Sequence, residues 1–196
     1  MKLEEIVFAS HNSGKIKEMK ELLAPYGIKV KSALDMDLPD VEETGKTFEE
    51  NSLLKSQTIA KLVNKPCLAD DSGLCVDALD GAPGVYSARY APNRDFNKGM
   101  EKLLAEMDKS PNKSRKAHFS CVISLAWPDG QYKVFDGRVD GQIALQKMGE
   151  GGFGYDPLFV PEGFDCSFAQ MGQEEKNKIS HRGRAVEKLK DFLNSL

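Results

Sequence analysis

The sequence has few cysteines, and their spacing predicts neither a zinc site nor a disulfide framework. The four cysteines among 196 residues are Cys67, Cys75, Cys121 and Cys166, and no two of them form a Cys-x-x-Cys pair. Closely spaced cysteine pairs mark structural zinc sites, and a high cysteine density marks small disulfide-bonded domains. We therefore expect four free thiols in apolar surroundings.

Long apolar runs and a strong charge of one sign are also absent. No apolar segment approaches the roughly 20 residues that cross a bilayer. Residues 1–8 place an acidic pair ahead of a short apolar stretch, which is typical of a strand and not of a secretory leader. A net charge of -3 gives no general attraction to nucleic acid, although a local basic pocket could still bind one small anion. We expect a soluble, cytoplasmic protein that binds neither a membrane nor nucleic acid.

The apolar periodicity predicts an α/β fold with a mixed sheet, in one domain spanning residues 1–196. Helical spacing occurs within residues 16–23, 48–63, 96–107 and 186–193, and strand patterns occur at residues 6–9, 28–33, 67–69, 74–76, 117–127 and 132–139. The last two strands form a hairpin about the turn Pro128-Asp129-Gly130. Thr47 and Glu50 form a capping-box pattern at the start of the second helix. Strands that alternate with helices, followed by a hairpin, favour a mixed sheet.

A polar loop between the first strand and the first helix is the first candidate site. It consists of Ser10, His11, Asn12, Ser13, Gly14 and Lys15. The exposed N–H groups and positive dipole end of a helix N-terminus bind anions, and a turn of small residues lets a phosphate approach closely. The loop is not a Walker A motif, which would need glycine at Ala9 and serine or threonine at Ile16. The alternative interpretation is a polar N-cap with a solvated lysine.

Two acidic pairs form the second candidate site. Glu42-Glu43 lies in a predicted loop, and Asp70-Asp71 lies at the end of a predicted strand. Mg²⁺ binds one or two carboxylates together with phosphate oxygens and water, and a further carboxylate could serve as a general base. The alternative is an Asp-Ser-Gly turn and a solvated glutamate pair. Apolar residues on both sides of Asp70-Asp71 favour a cation, because adjacent buried carboxylates are costly without one.

Two further segments are candidates for binding a base and its phosphates. Residues 149–157 combine glycines with two aromatic rings that could approach a planar ligand, and Asp156 could accept hydrogen bonds from the edge of a base. Residues 175–184, ahead of the last helix, carry cations that could neutralise a polyphosphate, and Arg182 could bind it bidentately. The alternatives are a flexible hairpin or lid for the first segment and a solvated surface for the second.

These segments, in this order, resemble the inosine triphosphate pyrophosphatase family, whose members remove noncanonical purine nucleotides. The similarity spans essentially the whole chain, and the matching pieces are residues 10–15, 42–45, 47–51, 69–74, 81–90, 151–156 and 180–183. The chain departs from the family at Ser10-His11, where Thr-Gly or Thr-Asn is commoner. The resemblance implies an elongated, two-lobed α/β fold with a long central mixed sheet flanked by helices, usually in a homodimer.

The resemblance also implies an activity and roles for particular residues. The activity is Mg²⁺-dependent hydrolysis of ITP, dITP and XTP between the α- and β-phosphates, which keeps these nucleotides out of DNA and RNA precursor pools. Glu42 and Asp71 would bind Mg²⁺, and Asp71 would also be the general base. The residues expected to bind substrate are Ser10, His11, Asn12, Ser13, Gly14, Lys15, Ser72, Phe153, Gly154, Tyr155, Asp156, Lys176, His181 and Arg182. The phosphates would be held by Lys15, Lys176 and Arg182. The base pocket would be lined by Phe153, Asp156, His181 and Arg182.

The sequence leaves two other functions open. The first is a related pyrophosphatase of the septum-inhibition class, which acts on modified pyrimidine nucleotides. The second is a nucleotide sensor that binds a triphosphate without hydrolysing it. Incubation of ITP, UTP and ATP with Mg²⁺ separates the three hypotheses, because they predict pyrophosphate from ITP, pyrophosphate chiefly from pyrimidines, and binding without product.

Overall fold

The computed structural model describes residues 4–195, which contain five α-helices and six β-strands. The helices are α1 (Ser13–Leu23), α2 (Phe48–Val63), α3 (Phe96–Lys109), α4 (Gln173–Ile179) and α5 (His181–Asn194). The strands are β1 (Glu5–Phe8), β2 (Lys29–Ser32), β3 (Cys67–Val76), β4 (Lys116–Ala126), β5 (Tyr132–Ile143) and β6 (Phe159–Pro161). Residues 1–3 of the predicted N-terminal segment lie outside the described residues. Within residues 4–195, no helix is long and apolar enough to cross a membrane.

The six strands form one mixed sheet in the order β2-β1-β3-β4-β5-β6. β1 pairs in parallel with β2 and with β3, and β5 pairs antiparallel with β6. Ile6, Val7 and Phe8 of β1 are all buried, as expected for a parallel strand with neighbours on both sides. The predicted hairpin is also present, and its turn is closed by a hydrogen bond from the Gly130 N–H to the Trp127 carbonyl. The prediction of an α/β fold with a mixed sheet flanked by helices is confirmed.

The chain divides into two compact units, and the first contains the N-terminal part of the sheet. Unit 1 consists of the described residues of Met1–Asp71, Cys121–Gly137 and Arg182–Leu196. Its main apolar cluster joins α1, β1, β2, β4 and α5, and includes Ile6, Phe8, Met19, Leu23, Ile123, Val186 and Leu189. Burial of one large apolar side chain contributes about 1.5–3 kcal/mol, so this cluster holds the start of α1 and of α5 firmly.

The second unit has its own apolar core. Unit 2 consists of Ser72–Ser120 and Arg138–His181. Its cluster joins α3 to β4, β5 and β6, and includes Met100, Leu103, Met107, Phe119, Val139, Phe159 and Phe168. The ring centroids of Phe119 and Phe159 lie 4.7 Å apart, which is within the range of favourable aromatic pairs.

The two adjacent aspartates lie within a strand, and the prediction that they end one was wrong. β3 runs without interruption through Asp70-Asp71-Ser72-Gly73, so the alternative of an Asp-Ser-Gly turn was wrong as well. β1 ends at Phe8, which pairs with Leu68, so the aspartates follow the last position where β1 lies beside β3. β3 nevertheless continues because β4 lies along its other edge, and tertiary pairing overrides a local preference for turns.

The prediction that Thr47 caps α2 is confirmed. Its side-chain oxygen accepts a hydrogen bond from the Glu50 N–H at 3.1 Å. The reciprocal bond of a capping box is shifted by one residue, because the Glu50 carboxylate accepts from the N–H of Lys46 at 2.6 Å. Glu50 therefore ties the preceding loop to the start of the helix.

The buried face of α2 is largely polar, whereas the sequence predicted an apolar face. Leu62 is exposed, while the buried residues are Asn51, Ser52, Lys55, Ser56, Ile59 and Ala60. The reason is that this face meets polar groups of the sheet. Ser52 and Ser56 both form hydrogen bonds with Ser124 of β4, and Ser52 also donates to the Ala69 carbonyl of β3. Satisfied polar groups of this kind can be buried at little cost.

The basic segment at residues 175–184 lies on two helices and not ahead of the last one. Its first half belongs to α4, which, like β6, is not predicted by the apolar pattern. Ser180 separates the helices with an extended backbone, and His181 begins α5. A helix of seven residues with charged side chains has too few apolar positions to show a clear period, which explains why α4 was missed.

Candidate active site

The loop before α1 is organised by its own side chains. Asn12 is the N-cap of α1, and its side-chain oxygen accepts from the Lys15 N–H at 3.1 Å. Ser10 Oγ accepts from the Asn12 N–H at 3.3 Å. His11 Nε2 donates to the Leu38 carbonyl at 2.8 Å, which ties the loop to the segment after β2. Ser13 and Gly14 then form the first turn of α1, whose N-terminus follows this tight polar turn as an anion site would require.

Lys15 belongs to a buried ionic cluster, so the alternative of a solvated lysine does not apply. Its Nζ lies 3.2 Å from Asp70 Oδ2, and Nη2 of Arg182 lies 3.1 Å from the same oxygen. The other terminal nitrogen of Arg182 contacts the buried carboxylate of Glu18. Burial alone would raise the pKa of Asp70, but the charges of Lys15 and Arg182 outweigh it and lower that pKa. Asp70 is therefore an ionised counter-charge for two cations.

Asp71, the next residue along β3, has the opposite shift. Burial raises its pKa to about 6, with Glu43 adding to the increase and Lys55 and Lys15 opposing it. The Asn51 amide donates to Asp71 Oδ2 at 3.0 Å. A carboxylate with a pKa near neutrality is suited to accepting a proton from water at pH 7.

Lys55 of α2 links the acidic loop to β3. Its Nζ lies 2.6 Å from Glu43 Oε1 and 2.6 Å from the Asp70 carbonyl oxygen. The Leu68 carbonyl lies two residues earlier and therefore on the same edge of β3. It accepts a hydrogen bond from the N–H of Ala9, the residue after β1. Lys55 thus satisfies the next carbonyl on that edge. Glu43 is half-buried beside it, whereas Glu42, the predicted metal ligand, is exposed.

The described residues form no metal site from protein side chains alone. Within residues 4–195, no group of three or more His, Cys, Asp or Glu side chains is placed to hold a metal ion. Mg²⁺ usually takes only one or two carboxylates from a protein and completes its shell with phosphate oxygens and water.

Asp156 is the centre of the predicted binding residues in unit 2. Its Oδ2 accepts from the Phe153 N–H at 3.0 Å and lies 2.6 Å from Nζ of Lys176. Both charged side chains are almost fully buried. Gly152 has a φ of 67°, and a Cβ at that position would come within 2.1 Å of Asp156 Oδ2. The loop can therefore wrap this carboxylate only with glycine at residue 152.

Lys176 lies among the residues predicted to bind the base. Its Nζ is 5.0 Å from the ring centroid of Phe153 and 5.7 Å from that of Phe168. Lys15 and Arg182, which the resemblance groups with Lys176 as phosphate-binding cations, belong to unit 1. The ion pair with Asp156 accounts for the full burial of the Lys176 ammonium, because a buried charge requires a partner.

The remaining predicted residues lie in the framework of unit 2. The Tyr155 hydroxyl donates to the Ser87 carbonyl at 2.7 Å, and its buried ring forms part of the unit 2 core. The His181 ring stacks on Phe119, with 4.7 Å between centroids and 12° between planes. Ser72 follows Asp71 on β3, and Gly154 has a φ of 63° in the glycine-rich loop. Tyr155 and His181 are thus anchored by the aromatic core.

Glu18, Asn51 and Lys55 are residues of the candidate site in unit 1 that the sequence motifs do not predict. Helical spacing was the available signal, since Glu18 lies three residues after Lys15 on α1, and Asn51 and Lys55 lie four apart on α2. Apolar periodicity does not predict such positions, because polar and charged residues on a helix are usually solvated.

Comparison with known proteins shows the family. The family model described as "Ham1 family" matches residues 6–192. The chain belongs to the Ham1 family, and the resemblance drawn from the sequence motifs is confirmed.

Individual relatives match over nearly their whole length. A dITP/XTP pyrophosphatase of Ruegeria pomeroyi is 49% identical over 189 residues, which cover 94% of this chain and 93% of that protein. The structure of a HAM1 protein from Coxiella burnetii has a TM-score of 0.90 and 41% identity, covering 99% of this chain and 100% of the other. The Staphylococcus aureus Ham1 protein has a TM-score of 0.85 and 48% identity, covering 97% and 98%. Both units of the chain are therefore included in these similarities.

Proposed function

We propose that this protein is a Mg²⁺-dependent nucleoside triphosphate pyrophosphatase. It hydrolyses ITP, dITP and XTP to the monophosphate and pyrophosphate, and so keeps them out of DNA and RNA precursor pools. Relatives named dITP/XTP pyrophosphatase support this activity and substrate class. The observation that carries the proposal is the contrast between two adjacent carboxylates. Asp70 Oδ2 lies 3.2 Å from Lys15 Nζ and 3.1 Å from Arg182 Nη2, whereas Asp71 contacts the Asn51 amide at 3.0 Å and burial raises its pKa to about 6.

The residues of unit 1 fit a magnesium ion. Asp71 is a buried carboxylate whose charged form is disfavoured by its surroundings, and a divalent cation would favour that form. Glu42 would be the second carboxylate, in the loop that contacts α2 through Glu43 and Lys55. Two carboxylates with phosphate oxygens and water match the ligands that Mg²⁺ prefers. When bound, Mg²⁺ supplies positive charge to the phosphates and lowers the pKa of nearby water.

The protein's own residues then account for the hydrolytic step. A water oxygen attacks the α-phosphorus, Asp71 accepts the proton of that water, and the bond from the α-phosphorus to the bridging oxygen breaks. Pyrophosphate leaves with the electrons of that bond. Lys15 and the N-terminus of α1 bind the phosphates. Arg182 adds positive charge beside Lys15, because both cations contact the Asp70 carboxylate.

The charge of the ionic cluster in unit 1 supports a role for a divalent cation in substrate binding. The buried or half-buried cations are Lys15, Lys55 and Arg182, and the carboxylates that neighbour them are Glu18, Glu43, Asp70 and Asp71. With Asp71 ionised, three positive charges face four negative ones, so this group does not attract a triphosphate by itself. We therefore expect Mg²⁺ to increase nucleotide affinity as well as turnover.

The residues around Asp156 in unit 2 would select the base. A carboxylate only accepts hydrogen bonds, and besides the Phe153 N–H and Lys176 it can accept one more from the N1–H of a 6-oxo purine. Lys176 or His181 can donate to O6. Adenine presents the reverse pair of groups, and each buried mismatch costs about 1–3 kcal/mol. Two mismatches would favour ITP over ATP by about 10² to 10⁴.

One assay tests the proposal against both alternatives. Purified protein is incubated with ITP, UTP or ATP and Mg²⁺, with EDTA in parallel, and the products are separated by chromatography. We expect inosine monophosphate and pyrophosphate from ITP, little product from UTP or ATP, and none with EDTA. Pyrophosphate chiefly from UTP would support a pyrimidine-specific enzyme, and binding without product would support a sensor. Equal kcat/KM for ITP and ATP would overturn the assignment.

Four further points remain predictions. The protein is expected to act as one pyrophosphatase domain, to form a homodimer, to work in the cytoplasm and to leave nucleic acid unbound. Light scattering after size-exclusion chromatography tests the dimer, and a gel-shift assay at low salt tests nucleic acid binding.

A further inference from the structure

Asn51 is a fully buried polar residue that contacts both the acidic loop and Asp71. It lies in the first turn of α2, and its exposed fraction is 0%. Its side-chain oxygen accepts from the Gly45 N–H at 2.7 Å, and its side-chain nitrogen donates to Asp71 Oδ2 at 3.0 Å. The Asn51 amide therefore bridges residue 45 of the acidic loop and β3.

The orientation of this amide follows from its partners. A backbone N–H can only donate, so the Asn51 atom facing Gly45 must be the oxygen. The NH₂ group consequently faces Asp71, whose ionised carboxylate can only accept. Reversing the amide would lose both hydrogen bonds, so the contacts admit one orientation.

The loop is shaped to allow this contact. A Cβ on Gly45 would lie 2.7 Å from the Asn51 oxygen and 2.7 Å from Glu50 Cβ, closer than real Cβ atoms approach. Glu50 accepts from the neighbouring Lys46 N–H, so two consecutive side chains of α2 hold two consecutive N–H groups of the loop. The end of the acidic loop is thus fixed to the helix that orients Asp71.

We propose that Asn51 is a positioning residue for the reaction. It sets the orientation of the Asp71 carboxylate and couples it to the loop that carries Glu42 and Glu43. The inference rests on the proposed function, in which Asp71 accepts a proton and binds Mg²⁺ together with Glu42. Partners that orient metal ligands in this way typically contribute 10- to 100-fold to activity or metal affinity.

Two substitutions separate the bonds that Asn51 makes. Asn51→Leu keeps the branched shape of the side chain and removes both hydrogen bonds. Asn51→Asp keeps the shape and the acceptor for Gly45, but places a carboxylate oxygen against Asp71. We expect kcat for ITP to fall 10- to 100-fold in both variants, with KM changed less than threefold. Gly45→Ala should lower kcat in the same direction, because its Cβ displaces the Asn51 oxygen.

Two matched controls distinguish positioning from loss of structure. Ser56→Ala removes a buried hydroxyl of α2 that bonds to Ser124 and does not contact Asp71. Thr47→Ala removes the N-cap bond at the start of the same helix. Both controls should lower the melting temperature about as much as the Asn51 variants, while kcat stays within twofold of the parent.

A measurement without nucleotide keeps the test independent of the proposed activity. Mn²⁺ binding to the substrate-free protein is titrated by electron paramagnetic resonance, and a crystal structure of Asn51→Leu shows the orientation of Asp71. We expect Mn²⁺ affinity to fall about tenfold, with Asp71 rotated. Unchanged affinity with Asp71 in place would overturn the inference, as would a kcat within twofold of the parent in Asn51→Leu or Asn51→Asp. If the parent hydrolyses no nucleotide, the proposed function fails, and the Mn²⁺ titration and the crystal structure still decide the role of Asn51.

Discussion

Asp70 and Asp71 are adjacent on β3, yet their surroundings shift their pKa values in opposite directions. Successive side chains on a strand point to opposite faces, so the two carboxylates meet different neighbours. Asp70 meets Lys15 and Arg182, whereas Asp71 meets the Asn51 amide. One carboxylate is therefore suited to holding cations, and the other to exchanging a proton.

Asp71→Asn should stabilise the metal-free protein at pH 8 and remove nearly all hydrolysis. The folded-state pKa of about 6 lies above the ordinary value of 3.8, so the carboxylate contributes stability below pH 4 that is lost as the pH rises through 6. The amide has no charge to bury. The free energy of unfolding of the variant should therefore exceed that of the parent by about 1–3 kcal/mol at pH 8 and by little at pH 4. Turnover should fall by about 10² to 10⁴, because the amide cannot accept the proton.

Urea unfolding in EDTA at pH 4, 6 and 8 measures the stability difference, and kcat is measured at saturating Mg²⁺. A turnover within tenfold of the parent would exclude Asp71 as the base. A stability difference that does not change with pH would contradict the raised pKa.

Asp70→Asn should have the opposite effect on stability. Removing this carboxylate leaves Lys15 and Arg182 without their shared partner, and breaking a buried ion pair costs about 3–5 kcal/mol. Because the pKa of Asp70 is lowered in the folded state, its contribution is present above its ordinary value near 4 and is lost as the pH falls further. Urea unfolding at pH 7 and pH 3 measures how the stability difference between variant and parent changes with pH. A variant as stable as the parent at pH 7 would show that Asp70 does not stabilise the protein through Lys15 and Arg182.

Lys15→Ala should weaken triphosphate binding and turnover more than it weakens stability. The Lys15 ammonium would meet phosphate charge both in the bound substrate and in the transition state. Lys17→Ala is the matched control, because Lys17 lies on the same helix with its side chain 73% exposed, against 15% for Lys15. Steady-state kinetics with ITP should show a loss of kcat/KM only for Lys15→Ala. Equal kcat/KM values for both variants would indicate that the loop of residues 10–15 has only a structural role.

Lys176→Met should reduce the preference for ITP over ATP, whereas Lys15→Ala should lower both activities in proportion. Lys176 holds Asp156 at 2.6 Å, so its loss leaves the carboxylate without its counter-charge and changes how it meets the base. Lys178→Met is the control, because its side chain is 71% exposed on the same helix. The ratio of kcat/KM for ITP and ATP decides the matter, and an unchanged ratio with weaker binding of both would favour the phosphate role that the resemblance implies.

Local signals predicted most of the framework. β1, α1 and α3 follow from apolar residues at strand or helical spacing, and the hairpin follows from Pro128-Asp129-Gly130. The course of β3 was predicted wrongly, because β4 keeps it extended where the sequence favours a turn. The buried face of α2 was also predicted wrongly, since its polar residues are satisfied by partners on β3 and β4.

The sequence by itself determined the family, the order of the strands and helices other than β6 and α4, and the segments that carry the candidate chemistry. Only the tertiary structure decided which charges are paired. Arg182 and Asp70 are 112 residues apart, and Lys176 and Asp156 are 20 apart. The strength of an ionic contact depends on distance and burial, and both arise only when distant segments pack around a shared core. Residue type and spacing identify the groups that can ionise, whereas the fold decides whether a carboxylate becomes a counter-charge like Asp70 or a proton acceptor like Asp71.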